Sequence, residues 1–280
     1  MTSDDTAAPD AGSTTGNVGS LPFNTSMANH ARVYDYLLGG KDNYAADRVA
    51  AEETLKIWPD FAFAARANRA FLGRVIPYLA AEAGIRQFLD IGTGIPTAGN
   101  THQVAQAIAP ESRVVYVDYD PIVLAHARAL LTSSDAGATE YIHADLRDTD
   151  SILTQAGQLL DFTKPVAITL IALLHAIPDA DDPHAIVATL RDAVPSGSYL
   201  AISHAGSDLL DREVRDAFDD IMSRMVQQQV TLRDHDQVAR FLDGTDLIEP
   251  GLVPVEEWRP EPGSGDNRKS AMWGAVGCKH

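Results

Sequence analysis

The sequence predicts an α/β protein: a doubly wound, mostly parallel sheet of seven strands, an antiparallel C-terminal hairpin and an N-terminal helical extension. Three observations carry this expectation. After Gly84 short β-branched runs alternate with helix-period segments, the pattern of right-handed strand–helix–strand crossovers. Residues 166–173 are nearly all apolar, as in a strand covered by helices on both faces. The run Phe88-Leu89-Asp90-Ile91-Gly92-Thr93-Gly94 ends an apolar strand in two glycines, which let the main chain turn sharply and come close to a ligand.

Bulk properties narrow the classes. With 280 residues, 45% hydrophobic, the chain can bury one large domain and its additions. A net charge of −17 and no Lys/Arg cluster argue against a nucleic-acid partner. Cys278 is the single cysteine, so neither an intrachain disulfide nor a cysteine-based zinc site is expected. The polar, acidic start does not resemble a secretory signal, and the longest apolar run, 166–174, is too short to cross a membrane. A cytoplasmic protein with no membrane partner is expected.

Residues 1–22 lack periodicity and read as a disordered tail. Residues 23–84 read as a helical extension. Helices are expected over 28–38, stopped by Gly39-Gly40, over 43–57, ended by Pro59, and over 60–83, with a kink at Pro77 and a stop at Gly84. The polar and aromatic residues Tyr34, Asp35, Tyr36 and Asn43 crowd the Gly-Gly pair, the composition of a closing lid that touches substrate or of a half-buried surface helix. Arg66 and Arg69 share a helix face and read as solvated charge ahead of an anion clamp. Residues 85–280 read as the α/β domain itself. Its strands are expected over 86–91, 113–117, 139–143, 166–173 and 199–203, and its helices over 97–109, 121–131, 149–160 and 183–194. Two further helices, 208–229 and 234–242, precede hairpin strands at 251–258 and 271–278.

Ligands of such sheets bind outside the carboxyl ends of the strands. There the first strand offers Asp90 and the bare turn, the second Asp118, the third Asp145 and the fourth His175. Asp118, 24 residues beyond Gly94, can accept both hydroxyls of a ribose in any nucleoside cofactor, or can simply cap the next helix. Two features choose among cofactors. Thr97 stands where a dinucleotide fingerprint has its third glycine. Asp145 suits an exocyclic adenine amine, so the pair of carboxylates fits one adenosine without a pyrophosphate.

The run 88–94, with Asp118 and Asp145, resembles the class I S-adenosylmethionine-dependent methyltransferases. More narrowly, residues 29–44, NHARVYDYLLGGKDNY, and 89–97, LDIGTGIPT, are similar to an actinobacterial S-adenosyl methyltransferase family once classed as a domain of unknown function. The resemblance implies a Rossmann-like methyltransferase fold and S-adenosylmethionine as cofactor, and it names no substrate. It also implies roles. Asp90 and the backbone of Gly92, Thr93 and Gly94 hold the amino-acid end of the cofactor. Asp118 takes the ribose, Tyr119 lies beside the adenine, Asp145 takes the adenine amine and the Leu146 N–H a ring nitrogen. Ile171 lines the pocket near the sulfonium.

Methyl transfer to a hydroxyl also needs a base. His175, following the fourth strand, is the first choice and His204, following the fifth, the second; His143 reads as structural. No ligand spacing supports a metal. The expected activity is O- or N-methylation of a small molecule, with a homodimer as one open assembly. The competing readings are a nicotinamide-dependent oxidoreductase and a binding protein that keeps the cofactor pocket without turnover.

Overall fold

The computed structural model describes residues 24–97, 99–123, 133–263 and 267–280. The tail expected over 1–22 and most of the helix expected over 121–131 lie outside the described residues. Three helices come first: α1 (His30–Leu37), α2 (Ala45–Ile57) and α3 (Phe61–Pro77). The Asn29 side chain caps α1 by accepting from the Ala31 N–H at 2.9 Å, and Gly39, at φ 82°, follows its end. An eight-residue helix is marginal alone; α1 persists because it buries Val33 and Leu37 against α2, α3 and a later helix. At Pro77 the helix expected to run to residue 83 loosens into a π turn, Tyr78–Glu82, because proline supplies no N–H to the preceding turn.

The sheet follows. Its parallel strands are β1 (Gln87–Ile91), β2 (Arg113–Asp118), β3 (Ala138–His143), β4 (Ala167–Ile171) and β5 (Tyr199–Ala205). Between them lie α4 (Thr101–Ile108), α5 (Thr149–Ala156) and α6 (Pro183–Asp192). Then come α7 (Arg212–Met225), α8 (His235–Ala239), β6 (Thr245–Leu247), β7 (Val253–Pro254) and β8 (Met272–Lys279). The strand order is β3-β2-β1-β4-β5-β8-β6, with β7 also on β8.

The antiparallel C-terminal strands are present, with β8 against β5 and Val253 opposite Gly274. The outer edge differs from expectation. The strand expected over 251–258 holds only Val253–Pro254 and then turns through a 3-10 segment, Val255–Glu257. Pro254 has no ladder N–H to continue it. The short β6 pairs with the far end of β8 instead, so eight strand segments fill the seven expected positions.

Strand parity divides the core. Leu89, Val115, Ile168 and Ile202 pack with Ile152 of α5 and Leu190 of α6 on one face. Phe88, Tyr116, Ala201 and Val276 pack with Phe71 of α3 and Ala105 of α4 on the other. A third core joins α1, α2 and α3 to Phe218 and Met222 of α7. Each large side chain buried there contributes roughly 1.5–3 kcal/mol. None of the described helices is long and apolar enough to cross a membrane.

Candidate active site

The carboxyl ends of β1, β2 and β4 open into one cavity of about 570 Å³, whose remaining walls come from α1, α3 and α7. Small-ligand sites span roughly 300–1,000 Å³.

Its floor is the glycine turn, where Gly92 and Gly94 have φ of 74° and 63°. A Cβ on Gly92 would lie 2.6 Å from Leu173 Cδ1. Gly94 meets only the Ala31 Cβ, 4.0 Å away, so α1 roofs the turn and leaves room beneath. Asp90 is buried and accepts from the Thr101 and Thr169 hydroxyls at 2.6 and 2.8 Å. Burial raises its pKa, while those two bonds hold the rise down. Asp118 accepts from the Gly94 and Asp120 N–H groups, both at 2.9 Å, and so ties β2 to the turn. Burial pushes its pKa up to about 6 against those backbone bonds. Thr93 shares a 2.8 Å hydrogen bond with the Tyr141 hydroxyl.

Tyr119 lines the cavity and spans it. Its hydroxyl meets the Gln228 amide, beyond α7, and the Asn29 side chain, ahead of α1. Burial and then the neighbouring carboxylates push it up to about 12. Asp145 lies on the rim beside buried Leu146, and half-buried Ile171 also lines the cavity. The Arg147 guanidinium brackets its carboxylate at 2.9 and 3.0 Å. Burial raises the Asp145 pKa, but the Arg147 bonds outweigh it and leave a net lowering.

His175 lines the cavity, and its Nδ1 is buried without a hydrogen-bond partner. Burial first, and then the His204, His30 and Arg233 charges, hold its pKa well below the usual histidine value. The segment around it is fixed from below. Buried Arg233 donates to the Leu174 and Ile177 carbonyls at 2.9 and 2.8 Å and pairs with Asp179. The Thr231 N–H meets the His175 carbonyl at 2.7 Å.

The structure corrects the choice of His204 as a base. On β5 it points away from the cavity, with Ile202, while Ser203 and Ala205 face α3 and the cavity. Both its ring nitrogens are engaged, Nε2 by Arg233 at 2.9 Å and Nδ1 by the Ala205 carbonyl at 2.9 Å. It supports Arg233. His143 bonds the Tyr119 carbonyl at 2.7 Å, in keeping with a structural part.

The residues around the Gly-Gly pair also separate. Tyr34 lines the cavity; its hydroxyl donates to the Ala65 carbonyl and accepts from Asn68, each at 2.9 Å. Asp35, Tyr36 and Asn43 do not line it. The Asp35 carboxylate accepts from the Asp42 N–H and the Asn43 amide, and a Cβ on Gly40 would collide with it at 1.9 Å. The pair is therefore a pinned turn and not a loose hinge. Tyr36 reaches outward to Glu52. Asp47 holds this region from within: it accepts from the Asn29 and Tyr44 N–H groups and pairs with buried Arg32 at 2.9 Å. Sequence reasoning missed Asn68, Phe218 and Met222, which line the cavity from helices far away in the chain. Among the described residues no cluster could hold a metal.

Strand order and a bare glycine turn between two strand-end carboxylates define a Rossmann-like methyltransferase. The chain belongs to the S-adenosyl methyltransferase family, whose model matches residues 18–280; S-adenosylmethionine is its cofactor. A protein from Streptomyces avermitilis, described as a member of a family of unknown function, DUF574, is 44% identical, with a TM-score of 0.88, over 91% of this chain and 99% of its own. A candidate methyltransferase from Thermobifida fusca is 39% identical, with a TM-score of 0.82, over 91% and 96%. No curated protein matches the chain. Family membership sets the nicotinamide reading aside, in line with Thr97 in place of a third glycine.

Proposed function

We propose that this methyltransferase acts on a small molecule, at oxygen or nitrogen, inside the cavity that runs from the glycine turn to the underside of α1 and α7. The observation that carries this is the continuity of that cavity: bare backbone and carboxylates form one wall, and apolar helix faces form the other. When bound, S-adenosylmethionine supplies an electrophilic methyl group on a sulfonium.

The residues of the chain do the rest. The open face of Gly94 and the buried Asp118 fit an adenosine. Asp118 accepts the ribose hydroxyls, and Asp90 with the 92–94 backbone holds the amino-acid end. Tyr119 and Leu146 flank the base, with Asp145 at its edge, and Ile171 lies near the sulfur. Alignment and exclusion of water supply most of the catalysis. His175 takes the acceptor proton where one must leave. Residues 23–84 act as a cover that closes as a unit. The protein works in the cytoplasm, and the sources of both relatives support an actinobacterial home.

Titration of the full-length protein with S-adenosylhomocysteine, followed by hydrogen exchange, tests this reading. Binding with new protection over residues 28–44 is expected. No binding would contradict the site, and unchanged exchange would contradict the cover.

A further inference from the structure

The polar groups of the cavity fall into two sets. At the sheet rim every carboxylate already holds a partner. Under the helices, three buried atoms do not: His30 Nε2, His175 Nδ1 and Gln228 Oε1 are unpartnered, and the two imidazole rings have centroids 5.8 Å apart. Burial holds His30 at about 4 and His175 well below the usual histidine value, so both rings are neutral at working pH. Buried polar atoms without partners are rare and call for an explanation. Two neutral rings facing one space can hold a hydroxyl between them, one accepting and one donating.

The surrounding wall fixes the rest of the ligand. Trp58, Phe61 and Phe218 form an aromatic cluster with centroids 5.1–6.0 Å apart, Phe218 edge-on to the other two rings and those two tilted against each other. All three line the cavity, together with Met222 and Met272. Flat rings and thioethers suit a flat aromatic ligand. The wall provided by α1, α3, α7 and Trp58 carries one charge, Arg69, which lies within electrostatic reach of Asp90 at the sheet rim. An ammonium ligand would find no carboxylate in this part of the cavity, and a carboxylate placed between His30 and His175 would face neutral imidazoles, because the Arg69 guanidinium donates to the Gly99 carbonyl at 2.9 Å instead.

We propose that the methyl acceptor is an uncharged aromatic hydroxyl compound, its ring against the Trp58–Phe61–Phe218 cluster and its hydroxyl between His30 and His175. This rests on the methyltransferase reading above and names the substrate class of that same site. The hydroxyl proton passes to His175 Nδ1. The acceptor oxygen bonds to the methyl carbon as the carbon–sulfur bond breaks, leaving its electron pair on sulfur. The products are an aryl methyl ether and S-adenosylhomocysteine, and His175 returns the proton to water when the site opens. His30 is a specificity-determining residue: its Nε2–H orients the oxygen.

The test uses the full-length protein with S-adenosylhomocysteine for binding and S-adenosylmethionine for turnover. The probes are phenol, 2-naphthol and 7-hydroxycoumarin, against 2-naphthoate and 2-(aminomethyl)naphthalene. At least one hydroxyl probe should bind the S-adenosylhomocysteine complex and yield its methyl ether by mass spectrometry, while the acid and the amine neither bind nor react. His175→Gln should lower kcat on that probe by about 10²–10⁴-fold while keeping S-adenosylhomocysteine affinity within about twofold, which also shows that the variant folds. His30→Phe should raise KM for the hydroxyl probe more than it lowers kcat. Preference for the acid or the amine, no binding of any hydroxyl probe, or wild-type turnover by His175→Gln would overturn the proposal. Failure of the wild type to bind S-adenosylhomocysteine would instead overturn the reading beneath it.

Discussion

The two walls of the cavity are built on opposite rules. On the sheet side Asp90, Asp118 and Asp145 are engaged by Thr101, Thr169, the Gly94 N–H and Arg147 before any ligand arrives. These bonds hold the turn in shape. On the helical side the buried His30 and His175 nitrogens are unpartnered and the neighbours are aromatic. The sheet wall is therefore suited to one fixed ligand and the helical wall to an exchangeable one. A carboxylate pinned by main chain keeps its position through each turnover, whereas an unmet imidazole leaves a hydrogen bond for the incoming molecule.

The largest expected effect breaks the helical wall from outside. Arg32→Ala leaves Asp47 as a buried charge without its ion-pair partner, so chemical denaturation should show a loss of about 3–5 kcal/mol and disorder the cover. Next comes the floor. Gly92→Ala places a Cβ 2.6 Å from Leu173 at φ 74°. Strain of that kind costs about 1–3 kcal/mol, read in stability and in weakened cofactor binding together.

A third prediction concerns pH. Asp118 is held up at about 6 by burial. Its carboxylate form is complete above that value and lost as pH falls through it. Affinity for S-adenosylhomocysteine should therefore be flat from pH 8 to 7 and fall about tenfold between pH 7 and 5. The smallest effect sharpens the division within residues 29–44. Tyr36→Phe removes an exposed bond to Glu52 and should leave binding unchanged and stability within about 0.5 kcal/mol.

The sheet wall was legible in the sequence because strand ends and glycine turns are local features. Asp90, Gly92, Gly94 and Asp118 lie within one strand–turn–helix–strand unit, and their spacing alone placed them together. The helical wall was not. Asn68 meets Ser203 across 135 residues, and nothing in either local sequence announces the other. His204 was misjudged because a strand end shows that a side chain is near the rim and not which face it takes; a one-residue shift separates Ser203, facing α3, from His204, facing Phe241. Asp35 and Asn43 were misjudged for a related reason. Polar residues beside a Gly-Gly pair can hold the turn as well as a ligand, and here Asp35 bonds the Asp42 N–H and Asn43. The broken outer edge was hidden because β6 is only three residues long.

The most direct measurement is calorimetric titration of S-adenosylhomocysteine into the wild type, Asp118→Ala and His175→Gln. The two-wall account predicts a loss of about 1–3 kcal/mol for Asp118→Ala and wild-type affinity for His175→Gln. Undiminished affinity in Asp118→Ala, or an equal loss in both variants, would contradict it.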